Sequence, residues 1–440
     1  MLQQLIPLPV WGTSLPGAKV TVSFSSQTKT AQTDKTGNWR VVLDPMEAAK
    51  LKSVHDAPAG KTMTIICTKD SRTAVVELKN LLVGEVWLCA GQSNMAGKMG
   101  RAGSPKHHPP DSIAKADYPA LRQMISPSGT WVVCTPETAV YVKKVCFFFA
   151  RRLQRDALVP VGVINAAVGG SKIERWLNQE PFERGQHYDK MIAPLEGFGL
   201  RGVLWYQGES NEKDGRLYQS RLASLIGGWR KAWKQPDSKR AHGPRGAFSV
   251  YFVQLPGIGK STTENPAGGD GRAEIRQAYV ETLSMENTGM AVTIDIGDLR
   301  EHPPNKYDTG VRLARLALHH DYGFRDLVPS GPLYKSHKME GPTVRITFDH
   351  AQEGLMVATK HGFLPPEPST TAEIPWLSIQ DRNGTWHWAQ GRIEGSELLV
   401  SSEDVKEPLA VRYAYTQHPT GNLLYNKEGL PAGPFTTNGY

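Results

Sequence analysis

The chain has 440 residues, of which 39% are hydrophobic and 21% are charged, proportions that are ordinary for a globular protein of two or three domains. No uninterrupted apolar stretch approaches the roughly 20 residues that span a bilayer, so we do not expect an integral membrane protein. The formal charge of +8 comes from Lys and Arg residues that are spread along the chain, which argues against nucleic-acid binding.

The first residues and the cysteines indicate in which cellular compartment the protein is expected. Residues 1–10 lack the basic start and the long apolar centre of a signal peptide. As the sequence stands we expect a cytoplasmic protein, or a periplasmic or secreted one if a leader peptide has been removed. Cys67, Cys89, Cys134 and Cys146 lack CxxC spacing and lie beside apolar residues, so we expect buried free thiols.

Residues 11–80 alternate short β-like runs with turns. Apolar residues recur at every second position of the runs, and Gly, Asn and Asp stand between them. The predicted strands are 19–24, 40–43, 62–68 and 73–79. The sequence therefore predicts an antiparallel β-sandwich region over residues 1–83.

From residue 84 the pattern changes to apolar strands separated by amphipathic segments of helix length, which is typical of a parallel sheet built from βαβ units. The predicted strands are 85–90, 161–167, 202–207, 248–255 and 290–296. One predicted helix has a single apolar face, formed by Val142, Val145, Cys146, Phe149 and Leu153. A second is predicted to follow an N-cap at Asp214. We expect an α/β domain with a five-stranded parallel sheet over residues 84–330.

After residue 331 the pattern returns to β-strands, predicted at 343–348, 354–359, 397–402 and 409–416. These strands indicate a C-terminal β-rich region over 331–440, which either folds alone or completes the N-terminal sandwich. The longest predicted loops are 98–129 and 257–271, and loops of this length beside strand ends are commonly binding surfaces or lids.

Polar motifs follow four of the five predicted parallel strands. They are GQSNM (91–95), VGGSKIERW (168–176), GESN (208–211) and GDLREHPPNK (297–306). In an open parallel sheet the loops at the carboxyl ends of the strands converge on one crevice, so we expect the motifs to meet there. Ser93 can act as a nucleophile, and His302 can act as the base that removes its proton.

A serine nucleophile also needs donors that hold the oxyanion formed when it attacks a carbonyl group. Gly169 and Gly170 lack a Cβ, so a backbone N–H there can approach a substrate oxygen. Gln207 or Asn211 can add a side-chain amide donor. Gln92, beside the nucleophile, is a further candidate for substrate contact.

The same segments resemble the sialate O-acetylesterase family of SGNH hydrolases and its relatives that act on acetylated plant polysaccharides. The matching text is GEVWLCAGQSNMAG (84–97), GGSKIERW (169–176), VLWYQGESN (203–211), TGMAVTIDIGD (288–298) and HPPNK (302–306), with GPLYKS (331–336) and NLLYNKEGLPAGPF (422–435) near the end. GQSNM together with WYQGESN is a specific pair.

The resemblance implies a flavodoxin-like three-layer α/β sandwich flanked by β-sandwich regions. It also implies a serine esterase that removes acetyl groups from sugar hydroxyls, of sialic acid or of a plant polysaccharide such as xylan, without a metal or another cofactor. The family roles fall on Ser93 as nucleophile, His302 as base, and Gly169 or Gly170 with Gln207 as oxyanion donors. The family's third sequence block contains Asn211.

The acidic member of the site departs from the common SGNH arrangement, in which an aspartate stands three residues before the histidine. That position is Leu299 here. Asp298, Glu301 or neither orients His302, and a Ser–His dyad helped by a backbone carbonyl is the alternative to a triad. We choose Asp298, because it stands at the exit from the strand, where its side chain can turn back toward the histidine.

Other side chains near the motifs have simpler interpretations. Glu209 has no equally placed partner carboxylate, so we expect structural hydrogen bonds rather than glycoside hydrolysis. Trp176 is predicted to face substrate and Trp205 to lie in the core. His107 and His108 precede two prolines, which is a poor metal-chelating geometry, so we expect an exposed loop and no metal there.

The leading hypothesis is a carbohydrate O-acetylesterase whose partner is an acetylated carbohydrate. One alternative is a non-catalytic carbohydrate-binding protein on a hydrolase frame, suggested by Leu299 at the position of the expected acid. Another is an esterase for other small acyl esters, which would prefer longer acyl chains.

Overall fold

The structure, a computed structural model, describes residues 1–100, 108–261, 264–371 and 373–439. The N-terminal strands are β1 (Leu2–Gln3), β2 (Leu8–Thr13), β3 (Lys19–Phe24), β4 (Gln27–Gln32), β5 (Asn38–Leu43), β6 (Lys61–Lys69) and β7 (Arg72–Leu81). β2 pairs with β5, and the other sheet has the antiparallel order β4-β3-β6-β7. Every second residue of β3 and β5 is buried in a shared apolar core, so the two sheets pack as in a β-sandwich.

The central sheet contains β8 (Val83–Gly91), β9 (Tyr118–Ile125), β10 (Trp131–Cys134), β11 (Val161–Ala167), β12 (Gly202–Tyr206), β13 (Ser249–Val253) and β14 (Thr288–Ala291). Its order is β10-β9-β11-β8-β12-β13-β14, and β1 also pairs with β8. All neighbours are parallel except β10 and β9, so the sheet is mixed.

The predicted five-stranded parallel sheet is therefore too small. The five predicted strands are neighbours in this sheet, but β1 and β9 add parallel strands and β10 adds an antiparallel edge. β9 lies inside residues 98–129, which we predicted as a loop, because Arg122 and Gln123 interrupt its apolar pattern. Both side chains are buried with partners: Arg122 Nη1 donates to the Asn80 carbonyl at 2.6 Å, and Gln123 Oε1 accepts from the Lys143 N–H at 2.8 Å.

The helices are α1 (Ser93–Ala96), α2 (Pro136–Ala139), α3 (Lys144–Ala157), α4 (Arg216–Trp233), α5 (Gly271–Thr282) and α6 (Lys306–Asp321). Shorter 3₁₀ turns lie at Ile173–Trp176, Ala193–Leu195, Glu209–Asp214 and Ile294–Ile296, and a π-helical turn lies at Tyr188–Ile192. The predicted apolar face of α3 is buried.

Among the boundaries that differ from the prediction, two lie beside the polar motifs. The last predicted parallel strand, 290–296, ends at Ala291 and continues into a 3₁₀ turn. The N-cap of α4 is Gly215 rather than Asp214. The Asp214 carboxylate is occupied elsewhere, since it accepts from Asn211 Nδ2 at 2.7 Å and from Arg221 Nη1 at 2.6 Å.

The C-terminal strands are β15 (Leu333–Glu340), β16 (Thr343–Asp349), β17 (Leu355–Thr359), β18 (Glu367–Pro368), β19 (Leu377–Gln380), β20 (Trp386–Trp388), β21 (Gln390–Glu394), β22 (Glu397–Ser401), β23 (Ala410–Tyr413), β24 (Leu423–Asn426) and β25 (Phe435–Thr436). They form the antiparallel sheets β15-β16-β22-β21, β18-β17-β24 and β20-β19-β23-β25, which contain no described strand from residues 1–83. Their buried residues, such as Val344, Leu377 and Phe435, share one core with the central sheet.

The cysteines are unpaired, as predicted, with Cys89, Cys134 and Cys146 buried and Cys67 half-buried. Across the described ranges, no helix has both the length and the apolar composition needed to cross a membrane.

Gly310 lies where α6 packs closely on α3. A Cβ there would lie 2.8 Å from both the Val145 carbonyl oxygen and the Phe149 nitrogen, which cannot move unless α3 shifts. We expect Gly310→Ala to lower the free energy of unfolding by about 1–3 kcal/mol through overpacking, as measured by urea denaturation. Gly227→Ala in α4 is the matched control, because its Cβ would meet Gln179 Nε2 at an ordinary 3.6 Å. Equal stabilities of the two variants would contradict this account.

Candidate active site

Ser93 and His302 meet at the carboxyl edge of the central sheet. Ser93 is the first residue of α1, directly after β8, and His302 lies in the loop that leads into α6. The His302 Nε2 and Ser93 Oγ atoms are 2.9 Å apart, although the two residues are separated by 209 positions. An imidazole nitrogen at this distance can accept the hydroxyl proton, which is the first requirement of a serine nucleophile.

The strand order explains this position. β9 and β11 lie on one side of β8, whereas β12, β13 and β14 lie on the other. The loops that leave β8 and β12 therefore diverge and open a crevice at the carboxyl ends of these strands. Ser93 follows β8 and Gln207 follows β12, so their two motifs flank the crevice.

Gly169 and Gly170 lie in the turn after β11, beside the nucleophile. A Cβ on Gly169 would be 3.7 Å from the Ser93 Cβ, and Gly170 has a φ of +67°, which glycine adopts without strain. Neither glycine N–H donates a hydrogen bond to a described residue. Both N–H groups, together with the Ser93 N–H at the start of α1, are therefore able to bind a substrate oxygen.

Gln207 was predicted as an oxyanion donor, but its amide is committed to protein acceptors. Its buried Nε2 donates to Gln92 Oε1 at 3.1 Å, to the Ser171 carbonyl at 3.1 Å and to Asn211 Oδ1 at 2.7 Å. Its Oε1 accepts from the Tyr218 hydroxyl at 2.8 Å. Because an amide has only two N–H hydrogens, this geometry leaves no donor of Gln207 for substrate.

Asn211 and Gln92 also have structural hydrogen bonds. Asn211 Nδ2 donates to Glu174 Oε2 at 3.0 Å and to Asp214 Oδ2 at 2.7 Å. Gln92 Oε1 accepts from the Gly208 N–H at 3.3 Å in addition to the Gln207 amide. These amides therefore bind protein groups rather than substrate. Their hydrogen bonds connect the ends of β8, β11 and β12.

The prediction that Trp176 faces substrate is wrong. Its side chain is fully buried, and its Nε1 donates to Ser171 Oγ at 3.1 Å. Its ring packs edge-on against Trp205 with the centroids 5.9 Å apart. Trp205 is also fully buried, which confirms its predicted place in the core.

The structure does not bring Asp298 to His302. The Asp298 Oδ1 atom accepts from the Arg300 backbone N–H and from Arg300 Nε, both at 2.9 Å, and these bonds hold the pKa of Asp298 below its usual range. Among the described residues no carboxylate is hydrogen-bonded to His302, and Glu301 contributes its backbone carbonyl to the site rather than its side chain. The geometry fits a Ser–His pair without an acid.

Asn94 and Glu209 hold one side of the loop that carries His302. Asn94 Nδ2 donates to Glu209 Oε1 at 2.5 Å and to the Glu301 carbonyl at 3.2 Å, and both side chains are buried. Glu209 thus forms the kind of structural hydrogen bond that we expected of it. We did not predict a role for Asn94, although its position directly after the nucleophile in GQSNM places it at the same edge.

Lys306 holds the other side of that loop. Its buried Nζ donates to the Pro303 carbonyl at 2.6 Å. Burial lowers the pKa of Lys306 to about 7, against the opposing attraction of Glu209. Buried donors thus fix the carbonyls on both sides of His302, and Pro303 further restricts the backbone of His302. This role of Lys306, the last residue of HPPNK, was also not predicted.

The described residues contain no group of three His, Cys, Asp or Glu side chains arranged to hold a metal ion. Of the two adjacent histidines in the predicted exposed loop, His107 lies outside the described residues. His108 is only 4% exposed, so the expectation of an exposed loop is wrong at this residue.

We expect Asn94→Ala to lower kcat for hydrolysis of p-nitrophenyl acetate by about 10- to 100-fold with little change in KM, because a small displacement of His302 weakens proton transfer. Kinetic assays measure both constants, and thermal denaturation checks the fold. Asn383→Ala, in an exposed turn, is the matched control. A folded Asn94→Ala variant with the kcat of the unsubstituted protein would show that the loop does not depend on this amide.

Comparison with known proteins gives consistent matches. A family model described as carbohydrate esterase, sialic acid-specific acetylesterase, matches residues 83–239. The chain is 26% identical over 490 residues to the sialate O-acetylesterase of Homo sapiens, covering 97% of this chain and 88% of that protein. It is 32% identical over 158 residues to a probable carbohydrate esterase of Arabidopsis thaliana, covering 30% of this chain and 55% of that one.

The crystal structure of a carbohydrate acetylesterase from Xanthomonas citri superimposes with a TM-score of 0.83 and 30% sequence identity. The alignment covers 100% of this chain and 97% of that one. Because the identity extends over nearly the whole of both chains, the chain belongs to the carbohydrate esterase family that includes the sialate O-acetylesterases, which are carboxylic ester hydrolases.

Proposed function

We propose that this protein removes acetyl groups from the hydroxyls of an acetylated carbohydrate through an acyl-enzyme on Ser93. The observation that carries the proposal is the 2.9 Å contact between Ser93 Oγ and His302 Nε2, in a chain of this family. Sialic acid and plant polysaccharides such as xylan are the sugar classes that we propose as carriers of the acetyl group that is removed.

In the first half-reaction His302 Nε2 takes the Ser93 hydroxyl proton while Oγ attacks the carbonyl carbon of the acetyl ester. The carbonyl oxygen becomes an oxyanion, which the N–H groups of Ser93 and of Gly169 or Gly170 stabilise. The bond to the sugar oxygen then breaks, and His302 returns its proton to that oxygen. The sugar leaves with a free hydroxyl, and the acetyl group stays on Ser93.

In the second half-reaction His302 takes a proton from water, and the resulting hydroxide oxygen attacks the acetyl carbon. The bond between that carbon and Ser93 Oγ breaks, and the proton on His302 passes to Oγ. Acetic acid leaves and gives its proton to solvent as it becomes acetate, and the hydroxyl of Ser93 is restored. We propose that His302 works in this cycle as a dyad partner, since Arg300 binds the carboxylate of Asp298.

We further propose the flavodoxin-like, three-layer frame of the SGNH hydrolases for residues 84–330. The order β11-β8-β12-β13-β14 supports it, because it corresponds to the 2-1-3-4-5 order of that doubly wound sheet. The contacts of α3 with α6 and of α4 with α5 are those expected of helix pairs on opposite faces. The domain boundaries and the cytoplasmic location stay predictions.

We expect Ser93→Ala and His302→Ala to lower turnover of p-nitrophenyl acetate by about 10³-fold or more, because each removes a participant in both half-reactions. Release of p-nitrophenol measures the loss, and acetate release from acetylated sialic acid, xylan and xyloglucan identifies the sugar. Ser71→Ala, in the exposed turn between β6 and β7, is the matched control.

Undiminished turnover by folded Ser93→Ala would exclude the acyl-enzyme. Glycan binding by the unsubstituted protein without turnover would favour the non-catalytic alternative.

We expect Asp298→Asn to keep most of the activity, because its carboxylate binds Arg300 rather than His302. Loss of the aspartate from a working triad costs about 10⁴-fold in kcat. The comparison of kcat for Asp298→Asn and the unsubstituted protein therefore separates a dyad from a triad. A loss near that size, with an unchanged Tm, would identify Asp298 as the missing acid.

A further inference from the structure

A second cleft lies in the C-terminal region. A cavity of about 620 Å³ opens beside the sheet β20-β19-β23-β25. Trp376 and Trp388 line it together with the polar side chains of Glu373 and Gln390. Its volume is within the range of about 300 to 1,000 Å³ in which small-ligand sites fall.

The two tryptophans differ in how they are held. Trp388 lies on the edge strand β20 and is 41% exposed. Trp376 has a φ of +66°, a left-handed conformation that is rare for a bulky residue, and its Nε1 donates to the Thr420 carbonyl at 2.9 Å. Backbone strain of this kind persists only where the surroundings enforce it, and it concentrates at binding sites.

The two tryptophans of the cleft also border the α/β region. A smaller cavity shares Trp376 and Trp388 and has Asn265 and Pro266 on its opposite wall, in the segment that precedes α5. The Arg412 guanidinium in β23 donates to the carbonyl of Ala267 in the same segment. The smaller cavity therefore lies between the C-terminal sheet and a loop that leaves the carboxyl end of β13, and it shares its two tryptophans with the cleft.

The same loop reaches the catalytic edge. Near its start, Ile258 forms a β-bridge with Asp298, four residues before His302 in the chain. The carbonyl of Gly259 lies 2.6 Å from His418 Nδ1, so the chain that follows β23 also packs here. One loop thus contacts both the segment that leads to the catalytic histidine and the wall of the cleft.

Arg276 of α5 fixes the two regions to each other. Its fully buried guanidinium donates to the Leu255 carbonyl at 2.8 Å, after β13, and to the Thr416 and Gln417 carbonyls at 2.6 and 2.9 Å, after β23. A buried cation that satisfies carbonyls from both regions is costly to displace. The position of the cleft relative to Ser93 is therefore set by the fold.

We propose that the cleft binds a segment of the glycan chain from which Ser93 removes acetyl groups, an inference that rests on the proposed function. Sugar rings present an apolar C–H face that packs on an exposed indole such as Trp388. Their hydroxyls can bind the Gln390 amide and the Glu373 carboxylate at the same time. This combination of flat aromatic and polar walls suits a chain of linked sugars better than an acyl tail, which would leave the polar groups unpaired.

The binding experiment uses the full chain with Ser93→Ala, so that acetylated glycans stay intact. Calorimetric titration with soluble acetylated xylan and acetylated xyloglucan oligosaccharides compares this protein with the double variant Ser93→Ala/Trp388→Ala. We expect the double variant to bind the better of the two glycans about tenfold more weakly. Trp388→Phe keeps an aromatic face and should restore most of the affinity. Trp11→Ala is the matched control, since Trp11 is 44% exposed on β2 in the N-terminal region.

A kinetic experiment distinguishes the contribution of the cleft to glycan binding from the chemical step at Ser93. In enzyme that retains Ser93, Trp388→Ala should lower kcat/KM for the acetylated glycan by about tenfold. The same substitution should leave kcat/KM for p-nitrophenyl acetate unchanged, because that ester carries no sugar. If Trp388→Ala lowers the Tm, Gln390→Ala provides the same test from the polar wall.

The proposal is overturned if neither glycan binds the Ser93→Ala protein, or if Trp388→Ala weakens binding no more than Trp11→Ala does. Failure of the proposed function would give a different result from failure of this proposal. In that case the unsubstituted protein releases no acetate from any glycan, whereas the dependence of glycan binding on Trp388 persists.

Discussion

The buried amides at the carboxyl edge of the central sheet are the constraint on which the site depends. A polar group left unpaired in the interior costs about 1–3 kcal/mol, so Gln92, Gln207 and Asn211 are stable only in the arrangement that satisfies all of them. That arrangement fixes the ends of β8, β11 and β12 relative to one another. With these ends fixed, Ser93 and Gly169 have one relative position, and only the loop with His302 remains to be placed.

In the proposed Ser–His dyad the backbone orients the imidazole, because no described carboxylate is hydrogen-bonded to His302. In a triad the acid holds the imidazole in one tautomer and one orientation. Here Asn94 and Lys306 hold the carbonyls that flank His302, so the position of the ring follows from the path of the loop. Glu209 and Lys306 are both buried, and the attraction of the Glu209 carboxylate opposes the effect of burial on the Lys306 ammonium. Loss of the Glu209 carboxylate would remove that attraction from a buried ammonium, which is destabilising.

The features that could be predicted from the sequence are those that depend on neighbouring residues rather than on contacts between distant parts of the chain. The bounds of β3 were predicted correctly because its alternation of apolar and polar residues is uninterrupted. β9 was missed because polar Arg122 is buried there through a contact with residue 80, which local periodicity does not reveal. The strand order alone brings Ser93 and His302 to one edge. The partners of the Gln207 amide and of the Asp298 carboxylate could not be predicted, since several acceptors and donors at that edge compete for each.

The buried guanidinium of Arg276 has a consequence for how a polymer is processed. Because it joins the end of β13 to the chain after β23 by four hydrogen bonds, the C-terminal sheets cannot swing as a tethered module does. If a glycan binds at Trp388 as proposed, the sugar that reaches the nucleophile would lie at a constant spacing from this residue. In the proposed binding mode, the acetyl groups nearest to that spacing would then be removed before the others.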